Sequence, residues 1–292
     1  MTKPVVISVA NQKGGVGKST SAYNIGAGLA LHGKRVLLVD ADPQGDLTKM
    51  LGLRKPHELP LSLANVMNDV IADAGNSNHP EILHHQEGFD FVPGNRSLSA
   101  VEVNLVHVMS RETVLRQYID SVKSSYDYVL LDCHPSLGML VINALAASDY
   151  VLTPVQADYL AAENMTELIG TVQRIQRQIH PSLQIGGIFL TMVNETNFRR
   201  EIAAAVREKY GKRLPILQAT IPATVLWGKY FRNQGTAPMR AQRSGSHGER
   251  KRKGAGRVFA PARKRRIADF ALTQEVLEIG EKQRGKPFDL SR

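Results

Sequence analysis

Eight residues, Lys13-Gly14-Gly15-Val16-Gly17-Lys18-Ser19-Thr20, restrict the fold of this chain more than any other stretch. They follow a β-branched apolar run at 5–10 and lead into a stretch with helical composition at 19–32. A strand that turns through glycines into a helix aims backbone N–H groups and the positive helix end at one point, which makes a cradle for phosphate oxygens. Lys18 is placed to reach the β- and γ-phosphates of a nucleotide, and the Ser19 hydroxyl to take a place on a magnesium ion. The usual spacing G-x-x-x-x-G-K-[ST] puts glycine at position 12. This chain has Gln12 there, followed by a second lysine, Lys13.

The rest of the chain alternates in the same way. Strands are expected at 5–10, 35–40, 89–92, 128–132, 150–154, 185–193 and 216–221, and helices at 19–32, 97–121, 160–179, 199–210 and 267–280. A short helix is expected at 63–71, and Gly33 and Gly211 sit where helix C-caps belong. Several strands are apolar throughout, as in a sheet covered on both faces. The βαβα order predicts an α/β fold, a doubly wound and mostly parallel sheet flanked by helices. Ligands of such sheets bind beyond the carboxyl ends of the strands, where the 13–20 loop lies.

Two further strand ends carry carboxylates. The run Val36-Leu37-Leu38-Val39 ends in Asp40-Ala41-Asp42-Pro43-Gln44-Gly45, whose acids at i and i+2 point to one side. The run Tyr128-Val129-Leu130-Leu131 ends in Asp132-Cys133-His134-Pro135. An apolar strand that delivers an Asp beside a phosphate loop can hold magnesium, usually through water.

In this order and spacing the three stretches resemble the ParA/Soj family of partition ATPases, within the ParA and MinD superfamily of P-loop NTPases with a deviant Walker A loop. The resemblance covers residues 1 to about 225. It implies ATP and magnesium as cofactors and Lys13, Lys18 and Asp42 as catalytic groups. It assigns the nucleotide to Lys13, Gly14, Gly15, Val16, Gly17, Lys18, Ser19 and Thr20, and the metal to Ser19, Asp40 and Asp132. Lys13 would reach across a sandwich homodimer to the partner's phosphates, and Asp42 would position or activate the hydrolytic water. Phe189-Leu190-Thr191-Met192-Val193-Asn194 and Ile221-Pro222 resemble the family's base-binding segments, so Asn194 and Pro222 are candidates at the adenine. The family often has proline where this chain has His134, so the resemblance gives His134 no role, and a partly exposed loop residue is expected there.

Charge separates the C-terminal part from the rest. The chain has 37 Lys and Arg against 27 Asp and Glu, net +10, and residues 226–266 hold thirteen of the bases and one acid, Glu249. The remainder is close to neutral, so any argument for nucleic acid from net charge rests on that segment. Within it, residues 240–264 are low in aliphatic residues and rich in Arg, Lys, Gly and Ser, a composition that predicts disorder. Three readings of it stay open: a basic DNA-binding insertion, a divergent loop, or a stretch read out of frame. The expected organisation is an ATPase domain at 1–225, the basic segment at 226–266, and a helix and tail at 267–292.

The function implied is an ATP-hydrolysing switch for plasmid or chromosome partitioning. It would dimerise with ATP, bind DNA non-specifically, with Arg199 and Arg200 as candidate contacts, and be turned over by a ParB-type centromere-binding protein. The alternative is a MinD-like factor positioned at the membrane. That needs an amphipathic C-terminal helix, whereas 267–280 and its flank carry Asp269, Glu275, Glu278 and Glu281, and no membrane partner is expected. One cysteine, Cys133, supplies neither a disulfide nor an iron–sulfur site. No tyrosine follows Phe231, against a tyrosine kinase of the superfamily with a C-terminal tyrosine cluster. No run reaches the roughly 18 apolar residues of a membrane span, and the first strand starts too early for a signal peptide or a preceding DNA-reading domain. A cytoplasmic, nucleoid-associated protein is expected.

Overall fold

The computed structural model describes residues 3–74, 78–156, 165–193, 204–205, 207–208, 210–211, 214–222 and 263–283. Strand β1 (Val5–Val9) runs into helix α1 (Lys18–Leu31), then β2 (Val36–Ala41), α2 (Asp46–Met50) and α3 (Leu63–Ile71). Short strands β3 (Leu83–His84) and β4 (Asp90–Val92) lead to α4 (Leu98–Leu105) and α5 (Val114–Val122). Then come β5 (Tyr128–Cys133), α6 (Met139–Ala147), β6 (Tyr150–Gln156), α7 (Thr166–Gln178), β7 (Gln184–Val193), β8 (Ile216–Pro222) and α8 (Arg263–Gln283).

The strands form one sheet in the order β3-β4-β2-β5-β1-β6-β7-β8. Every pairing is parallel except β3 with β4. The expected doubly wound, mostly parallel sheet is therefore what forms. Alternate residues of each strand feed two cores. Val6, Leu37, Val39, Val129 and Leu131 pack under α3 to α7, and Val5, Ile7, Val36, Leu38 and Leu130 pack under α1 and α8. This two-sided burial is why the strands read as continuous apolar runs.

The expected helix at 97–121 is two helices. Ser110 adopts φ 53, which a helix cannot continue through, and a 3-10 turn at Arg111–Thr113 starts α5 in a new direction. The helix expected at 267–280 begins earlier, at Arg263. Of the stretch 199–210, residues 204, 205, 207, 208 and 210 are described, and all are helical. Residues 223–262, with most of the basic segment, lie outside the described residues.

Helix α8 closes the fold on the α1 side. A Cβ on Gly28 of α1 would sit 2.1 Å from the Thr273 hydroxyl oxygen, so the two helices meet at a point only glycine permits. Strand β8 carries extra residues against β7, because Ile188 pairs with Ile216 but Leu190 with Thr220. A bulge of this kind leaves backbone N–H groups without ladder partners. The Glu275 carboxylate of α8 accepts two of them, from Gln218 at 3.0 Å and Ala219 at 2.7 Å.

One buried histidine sets a pH dependence. The His85 ring stacks on Phe89 at 4.6 Å and meets the edge of Tyr23. Burial, with a smaller push from His84, lowers its pKa from 6.5 to about 4. Above pH 6.5 the ring is neutral folded or unfolded and makes no difference. As pH falls from 6.5 towards 4 the unfolded chain takes up a proton that the folded chain refuses, so stability drops by up to about 1.4 kcal/mol per pH unit. Between pH 7 and pH 5 this predicts a loss of about 2 kcal/mol, or roughly 5 °C in melting temperature. His85→Phe, which keeps the stack, should remove that share of the acid shift; an equal shift in both proteins would refute the assignment.

Candidate nucleotide-binding site

The site is built at the carboxyl ends of β1, β2 and β5, which are contiguous in the sheet. From β1 the chain enters the 13–20 loop, where Gly15 and Gly17 adopt φ 73 and 87, conformations open to glycine at little cost. Hydrogen bonds fix the loop at both ends. Asn11 Nδ2 donates to the Pro154 carbonyl at 2.7 Å, and Asn11 Oδ1 accepts from the Lys13 N–H at 2.9 Å. The Thr191 hydroxyl of β7 donates to the Val16 carbonyl at 2.8 Å. Helix α1 opens at Lys18 with no side-chain cap and no acid in its first turn, so its positive end is uncompensated.

Gly14 and Gly15 are exposed, Lys13, Ser19 and Thr20 half-buried, and Val16 and Lys18 buried. Lys18 Nζ donates to the Lys13 carbonyl at 3.1 Å, spanning the mouth of the loop. Burial lowers the Lys18 pKa, against the pull of Asp132 and, more weakly, Asp42. A half-desolvated ammonium of this kind gains most from a polyanion placed beside it.

The three aspartates stand close together but are held differently. Asp40 and Asp132 are cross-strand partners on β2 and β5, so their side chains leave the same face. Asp40 is fully buried and well bonded. Its Oδ2 accepts from the Thr48 N–H at 2.8 Å and the Thr48 hydroxyl at 2.6 Å, and its Oδ1 from the Asp42 N–H at 3.2 Å. The Thr48 oxygen in turn accepts from the Gly94 N–H at 2.9 Å. Burial outweighs these donors and lifts the Asp40 pKa to about 7.

Asp132 is buried, and neither carboxylate oxygen completes a hydrogen bond. Burial and then the neighbouring Asp40 push its pKa well above the carboxylate range, against smaller pulls from the nearby Ser19 hydroxyl and Lys18. A buried carboxylate left without a donor calls for an explanation. A hard cation between Asp132 and Ser19 supplies one. Among the described residues no group of three or more His, Cys, Asp or Glu forms a metal cage of its own. The fit is to magnesium, which keeps several waters and borrows phosphate oxygens, needing only one or two protein groups.

Asp42 lies just beyond the end of β2. Its Oδ1 accepts from the Gln44 N–H at 2.8 Å and from His134 Nδ1 at 2.8 Å. His134 is partly exposed, as expected of a loop residue, yet it is joined to the site in a way the linear sequence could not show. Cys133 is buried with its thiol pKa pushed up to about 12 by burial, the behaviour of a small core residue. Pro222 ends β8 beside Val193 of β7, at the carboxyl edge of the sheet. Asn194, Arg199 and Arg200 lie outside the described residues.

Comparison with known proteins agrees with this geometry. Residues 4–185 match the family model described as AAA domain. The sporulation initiation inhibitor protein Soj of Bacillus subtilis is 39% identical over 221 residues, 75% of this chain and 85% of that protein. The chromosome partitioning protein ParA of Caulobacter vibrioides is 36% identical over 75% of this chain and 81% of that protein. The crystal structure of cobyrinic acid a,c-diamide synthase from Mycobacterium smegmatis, with bound ADP and magnesium, superposes with a TM-score of 0.71 at 35% identity, covering 79% of this chain and 91% of that one. The deviant lysine-bearing loop, the sheet order and these likenesses place the chain in the ParA/Soj family of partition ATPases.

Proposed function

We propose that this chain is a magnesium-dependent ATPase that works as a nucleotide-gated switch in DNA partitioning. The observation that carries the reading is Asp132, a buried carboxylate whose oxygens complete no hydrogen bond although the Ser19 hydroxyl and Lys18 stand near it, at the mouth of an anion-binding loop. In this reading the 13–20 backbone cradles the phosphates and Lys18 neutralises the terminal ones. Ser19 and Asp132 hold the metal, which when bound offsets the charge on the β- and γ-phosphate oxygens. Asp40, tied to Thr48, fixes the end of β2 and adds charge behind that site. Asp42 takes up the proton of the attacking water, and Asn194 and Pro222 flank the base.

Lys13 reaches the phosphates of a second copy, so that ATP binding and homodimerisation are one event. The dimer then binds non-specific DNA through Arg199, Arg200 and the basic 226–266 segment, which fixes its place on the nucleoid. A ParB-type protein ends the cycle by stimulating hydrolysis. No helix of the described residues is long and apolar enough to cross a membrane.

The test is sedimentation with non-specific DNA in ATP, ADP and no nucleotide, for the intact chain and Lys13→Ala. Binding is expected with ATP alone and is expected to vanish in the variant. It should also fall steeply with salt, as phosphate contacts require. Equal binding in every nucleotide state would reduce the protein to a passive polycation and sink the switch.

A further inference from the structure

We propose that His134 is a positioning residue for hydrolysis, holding the Asp42 carboxylate in the one orientation in which it can take a proton from water. The proposal rests on the reading of Asp42 as that proton acceptor. The β2–β5 ladder ends with Ala41 opposite Cys133, so Asp42 and His134 are the next facing positions beyond it. There the ladder is continued by side chains, with Nδ1 of the imidazole 2.8 Å from Oδ1 of the carboxylate. The carboxylate has no hydrogen to give, so Nδ1 carries it and donates.

The same Oδ1 accepts from the Gln44 N–H at 2.8 Å. That bond comes from two residues along the same turn and by itself lets the carboxylate plane swing about Cβ–Cγ. The imidazole comes from another strand, 92 positions away, and takes away this freedom. With both donors on Oδ1, Oδ2 is the oxygen left to face a water; among the described residues it has no hydrogen bond assigned to it. In the reaction the water oxygen bonds to the γ-phosphorus as the bond to the β–γ bridging oxygen breaks. One water proton passes to Oδ2 and leaves with the released phosphate. Orientation of the acceptor is the part of this barrier that a fixed second donor lowers. The proline that the family often has at this place offers no side-chain donor, so the contact is not one that the resemblance supplies.

The experiment is steady-state ATPase of the full chain with magnesium and ATP, with melting temperatures alongside, for His134→Leu, His134→Asn, Asp42→Ala and the double variant Asp42→Ala/His134→Leu. Losing the donor in His134→Leu should lower kcat about 10-fold and leave KM for ATP and the melting temperature in place. His134→Asn, whose amide N–H sits where Nδ1 does, should restore most of kcat. In the Asp42→Ala background His134→Leu should change nothing further, because the group it positions is gone. A leucine variant within about twofold of wild type, a loss confined to KM, an asparagine variant as slow as leucine, or the same loss without Asp42 would each overturn the proposal. If Asp42→Ala keeps full activity, the reading of Asp42 falls and the positioning role with it. If Asp42→Ala is dead and His134→Leu is not, the positioning role alone falls. Should His134→Leu fail to fold, His134→Gln, with its amide one carbon too far out, replaces it against the same asparagine control.

Discussion

Asp132→Asn is expected to raise the melting temperature of the nucleotide-free protein by roughly 5 °C and to cut ATP hydrolysis about 100-fold or more. Both effects come from one fact. The carboxylate sits in the interior with no hydrogen bond to either oxygen and with Asp40 as its neighbour across the strands. Leaving such a group without partners costs about 2 kcal/mol, more when it is ionised. An amide of the same shape never carries charge, so it is spared the repulsion from Asp40, and its N–H can donate to the Ser19 hydroxyl beside it. The carboxylate would be kept for what it does once magnesium and nucleotide are bound, when its charge turns from liability to ligand. Magnesium with ATP should therefore stabilise the wild type strongly by mass action and the asparagine variant weakly. Thermal melts of both proteins, with and without magnesium and ATP, check this. An asparagine variant less stable than wild type without nucleotide, yet equally stabilised by it, would make Asp132 an ordinary core residue.

Gly94→Ala should destabilise the fold by about 3 kcal/mol, which shifts the melting temperature by roughly 10 °C. A Cβ at this position would lie 2.3 Å from the Asp40 carbonyl oxygen and 2.9 Å from its carboxyl carbon. Neither can yield, because β2 is locked between β4 and β5. The Gly94 N–H also anchors the Thr48 hydroxyl that holds Asp40. Moving Gly94 therefore loosens the whole chain from Gly94 through Thr48 to Asp40, and Asp42 two residues on. Urea unfolding of the two proteins reads the stability change; an unmoved midpoint would show that the backbone at residue 94 has slack.

Much of this site could be read from the sequence because its pieces are local. The glycines, Lys13, Lys18 and Ser19 occupy one turn, and each aspartate ends an apolar run, so strand, turn and charge announce themselves together. Partners were not legible. Thr48 and Gly94 have nothing in their neighbourhoods that marks them as holders of Asp40. The contact from His134 to Asp42 exists only because β5 enters the sheet beside β2, although β3, β4 and the four helices α2 to α5 intervene in the chain. The fold shows the same limit. Helix α6 (Met139–Ala147) was not expected, because seven of its nine residues are buried and the sequence there has no polar stripe to show a period. At 97–121 a helical pattern persisted through a left-handed residue, Ser110, which composition does not announce.

The bond from Glu275 to the bulge of β8 has a consequence for the sheet as an assembly hazard. Strand β8 is the outermost strand of the sheet on its side, and outermost strands are templates on which other chains can add. The bulge distorts this one, and the helical carboxylate occupies two of the amides an incoming strand would need. The bulge is made by β8 itself, but the carboxylate comes from about 57 positions further on, beyond the most basic part of the sequence. During synthesis the eight strands of the described residues are complete before Glu275, the guard for their last edge, is made. Until α8 arrives, the two amides that Glu275 takes stay open to an incoming strand, and the net positive charge of residues 226–266 opposes the approach of a second copy.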